Sequence, residues 1–214
     1  MARPDLTDAL RGGLLGVAVG EALGLPWAGR PPREIKRDRL TDDVGPTGAI
    51  TAAVLEAAAT VGLSPSGLPA ALALGWREPD ALARRASALH FGFAPVLVAD
   101  LAAWALAGRP LYHLVADHAD DWPPPFRGVA ADDRAVVDAL LAVLHRHDDP
   151  SEGMRAAVRL GGGGAASLTA LVGGILGCRR PTAIARVPWL GRTVVPDDDT
   201  LEQAVSALAA HRRP

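Results

Sequence analysis

The sequence predicts an all-α fold, and three observations predict it. Hydrophobic residues make up 49% of the 214-residue chain but aromatics only 4%, so Ala, Leu and Val must build the core. Small and unbranched apolar side chains favour closely packed helices over a sheet sandwich. Apolar residues recur at helical spacing along much of the chain. No stretch alternates in the manner of a half-buried strand, and no fixed-period repeat or interdomain linker breaks the pattern. Length and composition suit one domain spanning 1–214.

The elements follow in order. Residues 7–23 form a first helix, capped by Thr7 or Asp8, with Leu10, Leu14, Val17 and Ala18 at helical spacing. Gly16 and Gly20 lie four apart on one face, which suits close approach of another backbone. Residues 24–46 are rich in Gly, Pro and charge and read as a long loop. Residues 47–61 form a second helix on the apolar face of Ile50, Val54, Leu55 and Ala58. Two short helices follow, broken at Gly75 and Pro79. Residues 95–107 and 110–120 are helical, and "DDWPPPFRG", 120–128, is a stiff proline turn. The helix over 131–147 starts near Asp132 or Asp133 and ends on His145, Arg146 and His147, an order that suits the helix dipole. Helices over 151–159 and 165–178 follow. The last begins near Asp199, where Asp199 and Glu202 have capping-box spacing.

Charge and cysteine content exclude several classes. The formal net charge is -2, so no basic field argues for nucleic acid. Lys36 is the only lysine, and Cys178 is the only cysteine, which excludes an internal disulfide and a cysteine zinc cluster. No apolar run approaches the roughly 20 residues that span a bilayer. "GGLLGVAVG", 12–20, has the look of a signal-peptide core, but Asp5 and Asp8 precede it and Glu21 cuts it short. A cytoplasmic protein with no membrane partner is expected.

"RLGGGGAASLTALVGGILGC", 159–178, sets the functional problem. Four glycines, Gly161–Gly164, open a helix, as in many anion cradles. Yet no Lys, Asp, Glu or His lies between Gly161 and Cys178.

Two segments together explain it. "RGGLLGVAVGEALGLP", 11–26, resembles the opening of the ADP-ribosylglycohydrolase family, R-x-G-x-L-L-G-x-A-x-G-D-A-L-G-x-P. "GGGAASLTALVGGILGC", 162–178, resembles the family's closing motif, G-G-D-T-D-T-x-A-x-x-x-G-x-x-x-G-A. "VGPTGAITAAVLEAAA", 44–59, fits the segment where the family carries T-D-D-T before a helix, and "ASALHFG" is weakly similar to a Thr-His-containing helix. The family is usually longer, and its G-N-G-x-x-M-R stretch has no counterpart here. The resemblance implies an orthogonal helical bundle with two divalent ions, magnesium or manganese. In that family the Asp residues of the two motifs, helped by Thr hydroxyls, hold the ions. Hard cations take oxygen ligands, and such a pair clamps ribose hydroxyls and positions water.

Registered on its glycines, the closing motif puts Gly164 and Ala166 at its two Asp positions, with Ala165 and Ser167 at the Thr positions. In the earlier motif Thr47 matches the leading Thr, and Gly48, Ala49 and Ile50 replace the rest. Glu21 stands for the Asp of G-D-A-L-G and adds a methylene. Ala28 falls near the Glu that often follows the Pro. The scaffold glycines persist and the metal ligands do not, so no metal cofactor is expected. "TDDV", 41–44, spells most of T-D-D-T, but Gly45 and Pro46 follow it, so it does not lead directly into the helix.

Other constellations have ordinary readings. Asp197, Asp198 and Asp199 suit a helix cap. His145 and His147, two apart, point to different helix faces, and His113 and His118 are equally poor as a pair. Trp27, Phe91, Phe93, Trp122 and Phe126 could stack a nucleobase or fill the core.

Three readings stand. The lead is a degenerate, ADP-ribosylglycohydrolase-like pseudoenzyme without metal-dependent hydrolase activity. It keeps a cleft for ADP-ribose or another adenine nucleotide, or acts through protein contacts. Its ligand-binding candidates are Glu21, Thr47, Gly162, Gly163, Gly164 and Ser167. The second is an enzyme with carboxylate-based or single-metal chemistry on Glu21, Asp42 and Asp43, since glycosidic chemistry runs on two carboxylates elsewhere. The third is a structural subunit whose glycine-lined helices serve assembly.

Overall fold

The computed structural model describes residues 4–35, 44–60, 67–89, 92–111 and 128–212. Ten α-helices lie among them: α1 (Leu6–Gly24), α2 (Ala49–Ala59), α3 (Gly67–Arg77), α4 (Ala81–Leu89), α5 (Phe93–Leu106), α6 (Asp133–Arg146), α7 (Pro150–Leu160), α8 (Ala165–Arg179), α9 (Pro181–Ile184) and α10 (Asp198–Ala210). Among the described residues there is no strand, only an isolated bridge between Ala28 and Gly162. The fold is all-α, as the sequence predicts.

α1 and α8 form the central antiparallel pair. Gly12 faces Gly177, Gly16 faces Gly173, Gly20 faces Thr169 and Gly24 faces Ala166. Each contact lies about one helical turn from the next, so the two backbones touch from Gly12 to Gly24 of α1. A β-carbon on Gly12 would stand 2.5 Å from the Gly177 carbonyl oxygen, and one on Gly24 2.7 Å from the Ala166 Cα. The glycines that weaken α1 locally are therefore what lets α8 dock. Leu10, Leu14, Val17, Leu168, Leu171 and Ile175 from this pair are buried in the main core cluster.

Helix boundaries depart from the sequence reading where capping chemistry decides. α1 is capped by Asp5, which accepts from the Thr7 amide at 2.8 Å, so the helix starts a residue earlier than expected. α3 runs through Gly75 without a break, because Gly75 packs against α5 with its Cα facing the Ala99 carbonyl and Ala102. Pro79 does end that helix pair. α6 and α7 take their caps from Asp132 and Asp149. α10 is capped by Asp197 rather than Asp199, with Thr200 N donating to its carboxylate at 2.7 Å. That hydrogen bond holds the Asp197 carboxyl below the usual aspartate range. Asp198 and Glu202 then turn outward and both pair with Arg11 of α1. The expected helix over 110–120 and the proline turn over 120–128 lie almost wholly outside the described residues.

A buried ion cluster ties α4 to α5. Arg84 Nε and NH2 donate to Asp100 Oδ1 at 3.0 and 2.8 Å, and Arg85 Nε donates to Oδ2 at 2.8 Å. Arg84 NH1 also donates to the Glu78 carbonyl at 2.9 Å.

Among the described residues, no helix is long and apolar enough to cross a membrane.

Candidate functional site

The residues of the two motifs are brought to one end of the α1–α8 pair. α1 carries Glu21 on the turn between Gly20 and Gly24. Those glycines commit one face of the helix to α8, so Glu21 projects toward α2 instead. Its carboxylate is buried, 1% exposed. Oε1 accepts from the Ile50 amide at 2.9 Å. Oε2 accepts from the Thr51 amide at 2.8 Å and from the Thr51 hydroxyl at 2.6 Å.

This is a helix cap delivered from a neighbouring helix. The N-cap position of α2 is Gly48, which has no side chain to offer, and the first turn of α2 holds no acid. Helix starts leave amides without partners and carry the positive end of the helix dipole. The Glu21 carboxylate meets both needs. Thr51, which sequence reasoning did not single out, completes the cap. The signal for it was a helix start that lacks any Ser, Thr, Asp or Asn at its N-cap.

Thr47 points elsewhere. Its hydroxyl donates to the Val194 carbonyl at 3.1 Å. It thereby ties the approach to α2 to the segment before α10.

The glycine turn is woven between two other loops. The Gly162 amide donates to the Arg30 carbonyl at 2.8 Å, and the Gly29 amide donates to the Gly162 carbonyl at 2.9 Å. On the other side the Val129 amide donates to the Gly161 carbonyl, and the Gly164 amide donates to the Val129 carbonyl, each at 3.0 Å. Gly161 and Gly162 have φ of 60° and 85°, in the left-handed region that favours glycine. A β-carbon on Gly161 would stand 2.6 Å from the Arg30 carbonyl oxygen. One on Gly164 would meet the Ala130 carbonyl oxygen and stand 2.8 Å from Val136 Cγ2. The four glycines therefore thread a junction of backbones.

The amides of Gly161, Gly162, Gly164 and Ala165 are spent on protein carbonyls. Among the described residues, those of Gly163, Ala166 and Ser167 have no such partner. Ser167 is half-buried on the first turn of α8. Trp27 is 2% exposed and belongs to the core, with the Arg30 guanidinium 5.4 Å from its ring centroid. Phe93 is exposed at the start of α5, while Phe91, Trp122 and Phe126 lie outside the described residues. Asp42 and Asp43 also lie outside them. Among the described residues, cavities of about 90 and 360 Å³ are lined by other residues, Phe93 and Leu141 among them in the first and Pro110 and Arg179 in the second.

The sequence profile of the ADP-ribosylglycohydrolase family matches residues 2–97. A solved chain titled "ADP-ribosylglycohydrolase-related protein complex" superposes with a TM-score of 0.68 at 20% identity, covering 97% of this chain and 99% of that one. The chain is ADP-ribosylglycohydrolase-like. No curated protein matches the sequence.

In an ADP-ribosylglycohydrolase-like frame the donor set can be compared with a pair of hard cations. The registered positions hold Gly48, Ala49, Gly164 and Ala166, whose side chains offer no oxygen. Glu21, the acid that the opening motif keeps, has both oxygens engaged by α2. The space beside Gly164 is filled by the 129–136 segment. Among the described residues, no group of three or more His, Cys, Asp or Glu could hold a metal ion. The residues described here do not fit two divalent ions.

Proposed function

We propose that this ADP-ribosylglycohydrolase-like protein is a degenerate member that does not perform metal-dependent glycoside hydrolysis. One observation carries the reading. The acid that the opening motif keeps, Glu21, is buried as the cap of α2, where it accepts three hydrogen bonds. A carboxylate held that way has three of its roughly four lone-pair sites committed to α2. The glycine frame that positions the family's two motifs is kept, and its chemistry is not. Without metal the residual ligand is ADP-ribose or another adenine nucleotide, held by the unspent amides of Gly163, Ala166 and Ser167 at the start of α8. Binding of this kind needs no ion, because a helix N-terminus favours phosphate.

Calorimetric titration with ADP-ribose, with and without magnesium, tests the reading together with a hydrolysis assay on an ADP-ribosylated protein. The expected result is no turnover and, where ADP-ribose binds, an affinity independent of magnesium. Magnesium-dependent turnover would overturn it.

A second reading, a subunit that works through assembly, is favoured by the surface beside α2. Leu25 is 36% exposed and Val194 72% exposed, and Leu25 Cδ1 stands 3.6 Å from where a Gly48 side chain would begin. An apolar rim around a closed polar site suits a protein partner better than a sugar phosphate. Light scattering of the wild type and of Leu25→Glu separates the readings: only the second predicts a change in mass.

A further inference from the structure

Where α1 meets the start of α2, the buried Glu21 carboxylate lies against Gly48. A β-carbon on Gly48 would stand 2.9 Å from Glu21 Oε1 and 3.5 Å from Glu21 Cδ. An acid at position 48 would therefore bring a second negative charge into contact with this carboxylate. Its reach depends on the methylene that distinguishes Glu from Asp. A shorter acid at position 21 would withdraw from the amides of Ile50 and Thr51.

We infer that Glu21 and Gly48 are an interdependent pair: the chain has exchanged a divalent-cation position for an internal carboxylate, and an acid at 48 is excluded by that carboxylate. This inference rests on the reading proposed above and adds a cause to it. The missing acid at 48 is then a requirement of the present packing, so restoring it does not restore metal binding. Two carboxylates in contact, with no cation between them, cannot both ionise without a large penalty. α2 has room for one anion at its start, and α1 supplies it.

The other half of the site obeys the same logic with a different occupant. At Gly164 the excluding group is backbone. The Ala130 carbonyl and the side chains of Val129 and Val136 fill the space, the last two 2.9 and 2.8 Å from a Gly164 β-carbon. The segment that supplies them is fixed by its hydrogen bonds to Gly161 and Gly164. Each half of the vacated centre is thus closed by a part of the chain that also holds the fold together.

The test is a double-variant cycle on the full chain: wild type, Glu21→Gln, Gly48→Asp and the two combined. The readouts are the thermal midpoint and its response to added Mn²⁺. Gly48→Asp is expected to lower the midpoint, and to lower it by less than half as much when residue 21 is Gln. No member of the cycle is expected to gain stability from Mn²⁺. An equal drop in both backgrounds would overturn the inference, as would a Gly48→Asp protein that Mn²⁺ stabilises. If Gly48→Asp does not fold, Gly48→Asn provides the same shape without charge. A folded Asn variant beside an unfolded Asp variant supports the pair, and two unfolded variants that Glu21→Gln does not rescue overturn it. A wild-type response to Mn²⁺ is a separate outcome: it would sink the functional reading itself, and the inference with it.

Discussion

Gly16 of α1 and Gly173 of α8 oppose each other across the centre of the fold, each aligned with the other's carbonyl group. A β-carbon on Gly16 would stand 2.5 Å from the carbonyl carbon of Gly173, far inside contact distance. No side-chain rotation relieves a clash between a β-carbon and backbone, so the helices themselves would have to part. Gly16→Ala is therefore expected to destabilise by ~3 kcal/mol, the upper end of ordinary overpacking. Gly191→Ala, where nothing lies within 4 Å, serves as the control and is expected to change stability by less than about 0.5 kcal/mol. Urea denaturation of both variants measures the contrast.

Removing the cap of α2 is expected to be costly for a different reason. Glu21→Ala leaves the Ile50 and Thr51 amides without acceptors at a buried helix start. Each buried donor left unsatisfied costs about 1–3 kcal/mol, so a loss of ~2 kcal/mol or more is expected. Hydrogen exchange supplies a local readout: protection of the first-turn amides of α2 should fall, while those in the middle of α8 are slowed as before.

The Arg84–Asp100 cluster is expected to behave asymmetrically. Both side chains are at most 5% exposed, whereas Arg85 is 55% exposed. Asp100→Ala strands a buried guanidinium and should cost about 3–5 kcal/mol. Arg85→Ala removes an exposed partner and should cost less than about 1 kcal/mol. Equal losses in chemical denaturation would show that the burial assigned to Arg84 is wrong.

Cys178 supplies a pH dependence. Burial pushes its thiol up from an ordinary value of 9.0 to about 12, although Arg212 and Arg179 pull the other way. The folded state thus keeps the proton that the unfolded state gives up. The thiol's contribution to stability is full below pH 9 and is lost as the pH rises from there toward 12. Iodoacetamide at pH 8 should label the native protein far more slowly than the urea-unfolded protein, since only the thiolate is nucleophilic. Equal labelling rates would contradict the burial.

Much of the fold was legible in the sequence because helical spacing and caps are local. Gly16 and Gly20, four residues apart, signalled a backbone contact, and α8 provides it. Gly75 misled the reading, since a glycine that breaks an isolated helix also lets α5 pack against an unbroken one. The site was less legible because its partners come from remote segments. The absence of acids at Gly48, Ala49, Gly164 and Ala166 could be read from motif register alone. What fills their places could not. Glu21 reads in the sequence as a ligand-binding or catalytic candidate, whereas α2 starts against it. The 128–131 segment carries no motif, yet its Val129 carbonyl takes the Gly164 amide, while the Arg30 and Val158 carbonyls take those of Gly162 and Gly161.

The motif positions are proposed to hold no pair of divalent cations. Titrating the protein with Mn²⁺ and following the free-ion signal by electron paramagnetic resonance tests it most directly. With protein in excess at sub-millimolar concentration, the free Mn²⁺ signal is expected to stay close to that of buffer alone. Loss of that signal with two ions taken up per chain would contradict it.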